Sequence, residues 1–146
     1  MFGKYYKQID DKNRLVIPAK LLKELGEVMY ITLGFDKSIV LRTEKEFLKL
    51  KEKLEENNSL NPDFRNLSRY IFGNTEEVQP DSKGRIVLPK YFVDKTTITK
   101  EVVFIGVGSY AEIFAKETYD LKEQFFEDEQ NIEDLTKKLL EQGVKL

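Results

Sequence analysis

The sequence predicts an α+β fold built from two copies of one small unit, interlocked through a shared β-core and flanked by helices. Three observations predict it. A nine-residue phrase occurs twice, 71 residues apart: Asp10-Asp11-Lys12-Asn13-Arg14-Leu15-Val16-Ile17-Pro18 and Asp81-Ser82-Lys83-Gly84-Arg85-Ile86-Val87-Leu88-Pro89. Around each phrase the same order of elements can be read: strand, turn, strand, Pro-opened helix, strand, Gly-containing turn, strand, helix. Each half also has too few strands to close a sheet alone, so the halves are expected to exchange strands about a pseudo-two-fold axis. Two copies do not make a solenoid, which needs three or more stacked units.

In the first copy, residues 5–9 read as a short strand, 10–13 as a turn and 14–17 as the returning strand, rich in branched side chains. Pro18 suits the first turn of a helix, where its missing N–H costs nothing. That helix runs over 19–25 with Leu21, Leu22 and Leu25 on one face, and Gly26 ends it. Residues 28–33 and 38–42 read as strands joined by a hairpin loop at 34–37. Thr43 reads as an N-cap, with Glu46 completing a capping box. The following helix sets Phe47, Leu50 and Leu54 at i, i+3, i+7 and ends near Asn57, Asn58 and Ser59.

Asn61-Pro62-Asp63 opens a further helix with Phe64, Leu67, Tyr70 and Ile71 at helical spacing, stopped by Gly73-Asn74. Val78 enters the second copy. Its turn is 81–84, its strand 85–88, and its Pro-helix runs from Pro89 through Phe92. Strands at 102–105 and 111–114 follow, with Gly106-Val107-Gly108 matching Gly34-Phe35-Asp36. From Lys116 the chain reads as helical, with Tyr119, Phe126 and Ile132 as partner-facing residues. Leu135, Leu139 and Leu140 form a terminal amphipathic turn or two. The expected organisation is an N-terminal half at 1–60, a connecting helix at 61–76, a C-terminal half at 77–125 and a helical tail at 126–146.

Composition excludes more than it selects. The chain has no cysteine and no histidine, which removes the thiolate nucleophile, the commonest general base and the commonest zinc ligand. No metal and no cofactor are expected, and no enzyme. Glu127-Asp128-Glu129 reads as a solvated helix face, and Gly106-Val107-Gly108 lacks the strand–GxGxxG–helix setting of a nucleotide site. No apolar run approaches a membrane span, and residues 1–9 carry no signal-peptide-like stretch, so a cytoplasmic protein is expected.

Net charge is -2, but it is unevenly distributed. Residues 1–23 set six Lys and Arg against Asp10 and Asp11, a local +4; residues 79–100 reach +3; residues 112–135 fall to -7. A phosphate backbone feels the potential within about 8–10 Å, so the two basic phrases matter more than the total.

Two readings of Asp-x-Lys-x-Arg stand level on residue chemistry. In the structural one, Asp10 and Asp81 begin turns and bond the backbone two residues on, Asn13 and Gly84 tolerate positive φ, and each Asp pairs with its Arg. In the functional one, the Asp holds a guanidinium in a fixed direction for guanine while Lys reaches phosphate. A two-stranded ribbon fits the major groove. The aromatics Tyr5, Tyr6, Phe64, Tyr70 and Phe72 are assigned to the core rather than to base stacking.

The opening Met-Phe-Gly-Lys-Tyr, the two Asp-x-x-x-Arg motifs followed by aliphatics and Pro, and Phe72-Gly73-x-x-Glu76-Glu77-Val78 together resemble the MraZ family over about residues 1–140. The resemblance implies a duplicated, AbrB-like swapped-hairpin β-barrel. It implies a ring-shaped homo-oligomer acting on double-stranded DNA as a transcriptional regulator, associated with the nucleoid. The DNA implied is a set of short G-rich direct repeats upstream of the protein's own gene, at the head of a division and cell-wall cluster. Carried over by position, the DNA-binding residues are Arg14, Lys12, Asn13, Arg85, Lys83, Lys4 and Lys7, with Asp10, Asp81 and Gly84 fixing the turns. The runner-up is a structural ring of the same fold whose basic turns bind an acidic partner. An antitoxin-like regulator is a weaker third reading.

Overall fold

The computed structural model describes residues 1–57 and 59–146, and the two copies build matching sets of elements within them. The first gives β1 (Lys4–Gln8), β2 (Arg14–Val16), α1 (Ala19–Leu25), β3 (Met29–Leu33), β4 (Ile39–Thr43), α2 (Glu44–Glu56) and α3 (Pro62–Gly73). The second gives β5 (Thr75–Val78), β6 (Arg85–Val87), α4 (Lys90–Thr96), β7 (Glu101–Gly106), β8 (Tyr110–Ala115), α5 (Lys116–Glu127) and α6 (Glu129–Glu141). The fold is α+β. Asn58, where the end of α2 is expected from sequence, lies outside the described residues.

The chain divides into two compact units, Met1–Lys116 and Glu117–Leu146. In the first, six strands form an antiparallel sheet in the order β1-β7-β8-β4-β3-β5, and β2 and β6 form a two-stranded ribbon. Only β3–β4 and β7–β8 pair within a copy. The other pairings cross: β1 with β7, β5 with β3, β4 with β8 and β2 with β6. This corrects one expectation. The strand after the first turn does not return along β1; it leaves to pair with its counterpart from the other copy. The turns themselves close locally, their necks by Asp10 N–H to the Arg14 carbonyl (3.0 Å) and Asp81 N–H to the Arg85 carbonyl (2.9 Å).

Period-2 alternation then decides which side chains enter the core. Met29 and Ile31, Ile39 and Leu41, Ala111 and Ile113, Val102 and Phe104 are fully buried on one sheet face. Leu15 and Ile86 join the same cluster from the ribbon, and Leu21, Leu25 and Phe92 join it from the Pro-helices. Pro18 and Pro89 sit one residue ahead of their helices, as N-caps. The helix α4 runs to Thr96, past the expected end at Phe92, because Phe92 and Thr96 lie one turn apart and both are buried. On the other sheet face Tyr30 stacks on Phe47 of α2 at 4.2 Å between ring centroids. Thr43 caps α2 by accepting from Glu46 N–H at 3.1 Å.

Three of the aromatics assigned to the core lie at the surface instead. α3 buries none of its residues, and Tyr70 and Phe72 are exposed. Tyr6 is 53% exposed, whereas Tyr5 packs against the core. Helical spacing alone does not say that a partner is present within the protomer.

In the second unit the acidic run divides what reads in sequence as one helix. Asp128 is the N-cap of α6, its carboxylate accepting from Gln130 N–H at 2.9 Å. The terminal amphipathic turns are therefore part of a 13-residue helix. Among the described residues, no helix is long and apolar enough to cross a membrane.

Candidate nucleic-acid interface

Each turn is built around one carboxylate. Asp10 Oδ1 accepts from Lys12 N–H (3.0 Å) and Arg14 N–H (2.8 Å), and Oδ2 accepts from Arg14 Nε–H (2.6 Å). Asp81 repeats all three with Lys83 N–H (2.9 Å), Arg85 N–H (2.9 Å) and Arg85 Nε–H (2.7 Å). Asn13 N–H and Gly84 N–H return to the carbonyls of Asp10 and Asp81. The residue after each turn tip is left-handed: Asn13 at φ 57° and Gly84 at φ 73°. Such a conformation favours glycine first and asparagine next. At Gly84 a second constraint acts, since a Cβ there would lie 3.0 Å from Leu22 Cδ2 of α1 in the other copy.

These bonds set the electrostatics. The Arg85 backbone N–H and guanidinium hold the Asp81 carboxyl at about 2, against the opposing effect of desolvation. At Asp10 desolvation pushes upward, but the bonds from Arg14 and Lys12 outweigh it and the carboxyl stays below its usual value. Both aspartates are therefore ionised wherever the protein is folded at neutral pH. Nε is the only guanidinium nitrogen of Arg14 or Arg85 with a hydrogen bond among the described residues. The two terminal nitrogens of each remain open, an edge of the kind that can bond guanine bidentately.

The ribbon then brings the two arginines together. Arg14 pairs with Val87, Leu15 with Ile86 and Val16 with Arg85. Ile17 N–H to the Gly84 carbonyl (2.9 Å) and Leu88 N–H to the Asn13 carbonyl (2.8 Å) tie each strand to the opposite turn. With Leu15 and Ile86 in the core, the opposite face carries Arg14, Val16, Arg85 and Val87. Arg14 and Arg85 are diagonal neighbours on it, about 7–8 Å apart in backbone position. Val16 and Val87 are 40% and 60% exposed beside them. In sequence these valines read only as strand aliphatics. Period 2 counted from Leu15 and Ile86 is the signal that turns them outward.

The other sequence-predicted residues divide. Lys12 and Lys83 are exposed at the turns. Lys4 and Lys7 lie on β1, opposite Ile105 and Val102, and so on opposite sheet faces. Lys7 shares the face that carries the core; Lys4 does not. The structure joins the two Asp–Arg turns into one surface and does not join both β1 lysines to it.

A model of the family described as "MraZ protein, putative antitoxin-like" matches the chain twice, over residues 1–70 and 71–142. The chain belongs to the MraZ family. It is 47% identical to a protein of Mycoplasma mobile over the full length of both. It is 38% identical to one of Mesomycoplasma hyopneumoniae, again over both full lengths. A protein of Ureaplasma urealyticum is 38% identical, covering 97% of this chain and 98% of its own. All three are named Transcriptional regulator MraZ. The double match of the MraZ model agrees with the doubled Asp-x-x-x-Arg phrase, one copy of which falls in each matched span.

Proposed function

We propose that the chain is a sequence-specific DNA-binding transcriptional regulator, whose β2–β6 ribbon enters the major groove. The observation that carries this is the pair of arginines, each pinned through Nε by an aspartate and each offering its outer edge on one face. A two-stranded ribbon fits a groove about 12 Å wide, and an oriented Arg reads guanine O6 and N7. Arg14 and Arg85 read bases, Lys12 and Lys83 contact phosphate, and Lys7 and Lys4 add positive potential. Asn13 and Gly84 let the turns form. The names of the relatives support the regulatory role.

The finer reading follows from the resemblance and from size. The exchange of β1 and β5 between copies supports an AbrB-like swapped-hairpin barrel, with halves at 1–60 and 77–125 and a tail at 126–146; the connector expected at 61–76 is helical only over Pro62–Gly73, and Thr75 already starts β5. One ribbon neutralises too few phosphates for tight binding at cellular salt. A ring of protomers, each on one G-rich direct repeat spaced near one helical turn, gains affinity through effective concentration. The exposed apolar side chains Phe35, Leu67, Tyr70 and Phe72 support assembly. The repeats stand upstream of the protein's own gene in a division and cell-wall cluster, and the protein acts in the cytoplasm on the nucleoid.

The test is titration onto the gene's own upstream DNA and onto a scrambled duplex at several salt concentrations. Preference for the upstream DNA that survives about 150 mM salt supports the reading. Equal affinity for both duplexes refutes it.

A further inference from the structure

We propose that Val16 and Val87 are specificity residues that read thymine 5-methyl groups beside the bases read by Arg14 and Arg85. This rests on the DNA reading above and names a second component of the same surface.

The outward face of the ribbon holds four side chains: two arginines and two valines. Each valine stands directly opposite an arginine, Val87 across from Arg14 and Val16 across from Arg85. Directly opposed residues in an antiparallel pair have Cβ atoms about 4.5–5.5 Å apart. That is between one and two base-pair steps of about 3.4 Å. An arginine on a guanine therefore sets its opposite valine near the adjacent base pair. In the major groove the apolar feature that distinguishes one base from the rest is the thymine methyl.

The side chain suits that task. Valine is stiff at χ1, so its two methyls are held with little entropy to lose on contact. The backbone beneath is fixed by the ribbon pairing and by the bonds from Ile17 and Leu88 to the opposite turns. Strand propensity accepts Val, Ile, Thr or Tyr here alike; what sets these two valines apart is that each is exposed opposite an arginine whose terminal nitrogens are open. Val87 is 60% exposed and Val16 40%, so Val87 has the more contact surface to give.

The experiment replaces the thymines in the bound upstream duplex one at a time by deoxyuridine, which removes the methyl and leaves pairing and phosphate charge unchanged. Wild type, Val16→Ala and Val87→Ala are titrated against each duplex, with folding checked by thermal melting. Expected is a thymine next to a contacted guanine whose replacement weakens wild type about fourfold, the effect of one buried methyl-sized group. The same replacement has no effect in the matching valine variant, and the effect assigned to Val87 is the larger. A uniform response of all three proteins to every replacement overturns the proposal and leaves the DNA reading standing. So does a bound site with no A·T pair beside a contacted guanine. If a variant fails to fold, the wild-type series decides alone, and insensitivity at every thymine overturns the proposal. Failure of wild type to prefer its upstream DNA over a scrambled duplex overturns both readings.

Discussion

Replacing Arg14 by Lys separates the two roles that a cation can play on DNA. Net charge stays at -2, so the sequence-independent attraction is unchanged. What disappears is the fork. A lysine ammonium has no planar second edge, and it cannot hold an Nε–H to Asp10 Oδ2 while presenting two parallel donors outward. A bidentate Arg–guanine pair is worth about 1–3 kcal/mol of discrimination, or about 5- to 150-fold per engaged protomer. Affinity for the upstream duplex should fall by that factor, while affinity for a scrambled duplex holds. Fluorescence anisotropy from about 50 to 200 mM salt supplies the second reading. The slope of log affinity against log salt should match wild type for Arg14→Lys. For Lys12→Ala it should flatten by about 0.9 for each phosphate that the variant leaves unneutralised. The reasoning is refuted if Arg14→Lys binds both duplexes as wild type does, or loses affinity for both equally. The first result removes base reading by Arg14; the second assigns it to phosphate. Unfolding of Arg14→Lys, seen as the absence of a thermal transition, would instead support the structural reading of the ion pair.

Gly84→Ala meets both a left-handed φ and the 3.0 Å approach to Leu22; a loss of about 1–2 kcal/mol is expected in urea unfolding, whereas Asn13→Gly, with nothing to strain at φ 57°, should be near neutral. Leu15→Ala and Ile86→Ala remove side chains that are 0% and 1% exposed, and each should cost about 2–5 kcal/mol by the same measurement. Both turns have depressed carboxyls, so the stability they contribute is fully present above the ordinary value of 3.8 and is lost as pH falls toward the folded value, about 2 for Asp81. Asp81→Asn should remove that part of the acid-unfolding curve seen by circular dichroism, and in a chain without histidine DNA affinity should be flat from about pH 6 to 8. Tyr70→Ser and Phe72→Ser alter side chains that are 42% and 37% exposed; native mass spectrometry should show smaller assemblies while the melting temperature of the protomer holds.

The turns are legible in the sequence because their chemistry is local. An Asp that bonds its own backbone at i+2 and i+4, followed by a residue able to take positive φ, needs nothing from elsewhere in the chain. The Pro-helices, the β3–β4 loop and the Asn61 cap are legible for the same reason. The partner of β2 is not. A three-residue strand carries no register information of its own, so its pairing with β6, 71 residues away, is decided by the common core that Leu15 and Ile86 enter. That same long-range pairing sets Arg14 beside Arg85 and turns the valines outward, which is why the lysines and arginines can be named from the sequence and Val16 and Val87 cannot. The aromatics of α3 fail in the opposite sense. Their spacing reports an apolar face, and an apolar face is the same in sequence whether a core or a second protomer covers it.

Strand exchange joins the two copies of the turn through the β2–β6 ribbon, and under the proposed function that ribbon has to read a direct repeat. A ribbon with perfect two-fold symmetry would present the same contacts in both directions and could not distinguish a repeat from its reverse. Polarity must come from the differences between copies. Those differences are concrete: Lys7 against Val78, a local charge of +4 against +3, and an exposure of 40% at Val16 against 60% at Val87. The N-terminal copy carries the excess of charge and the C-terminal copy the excess of apolar contact surface. Making the turns alike with Asn13→Gly would leave this bias untouched, whereas Lys7→Val would level the charge of the two copies. If polarity arises from these differences, Lys7→Val weakens binding to the natural repeat while Asn13→Gly leaves it nearly unchanged.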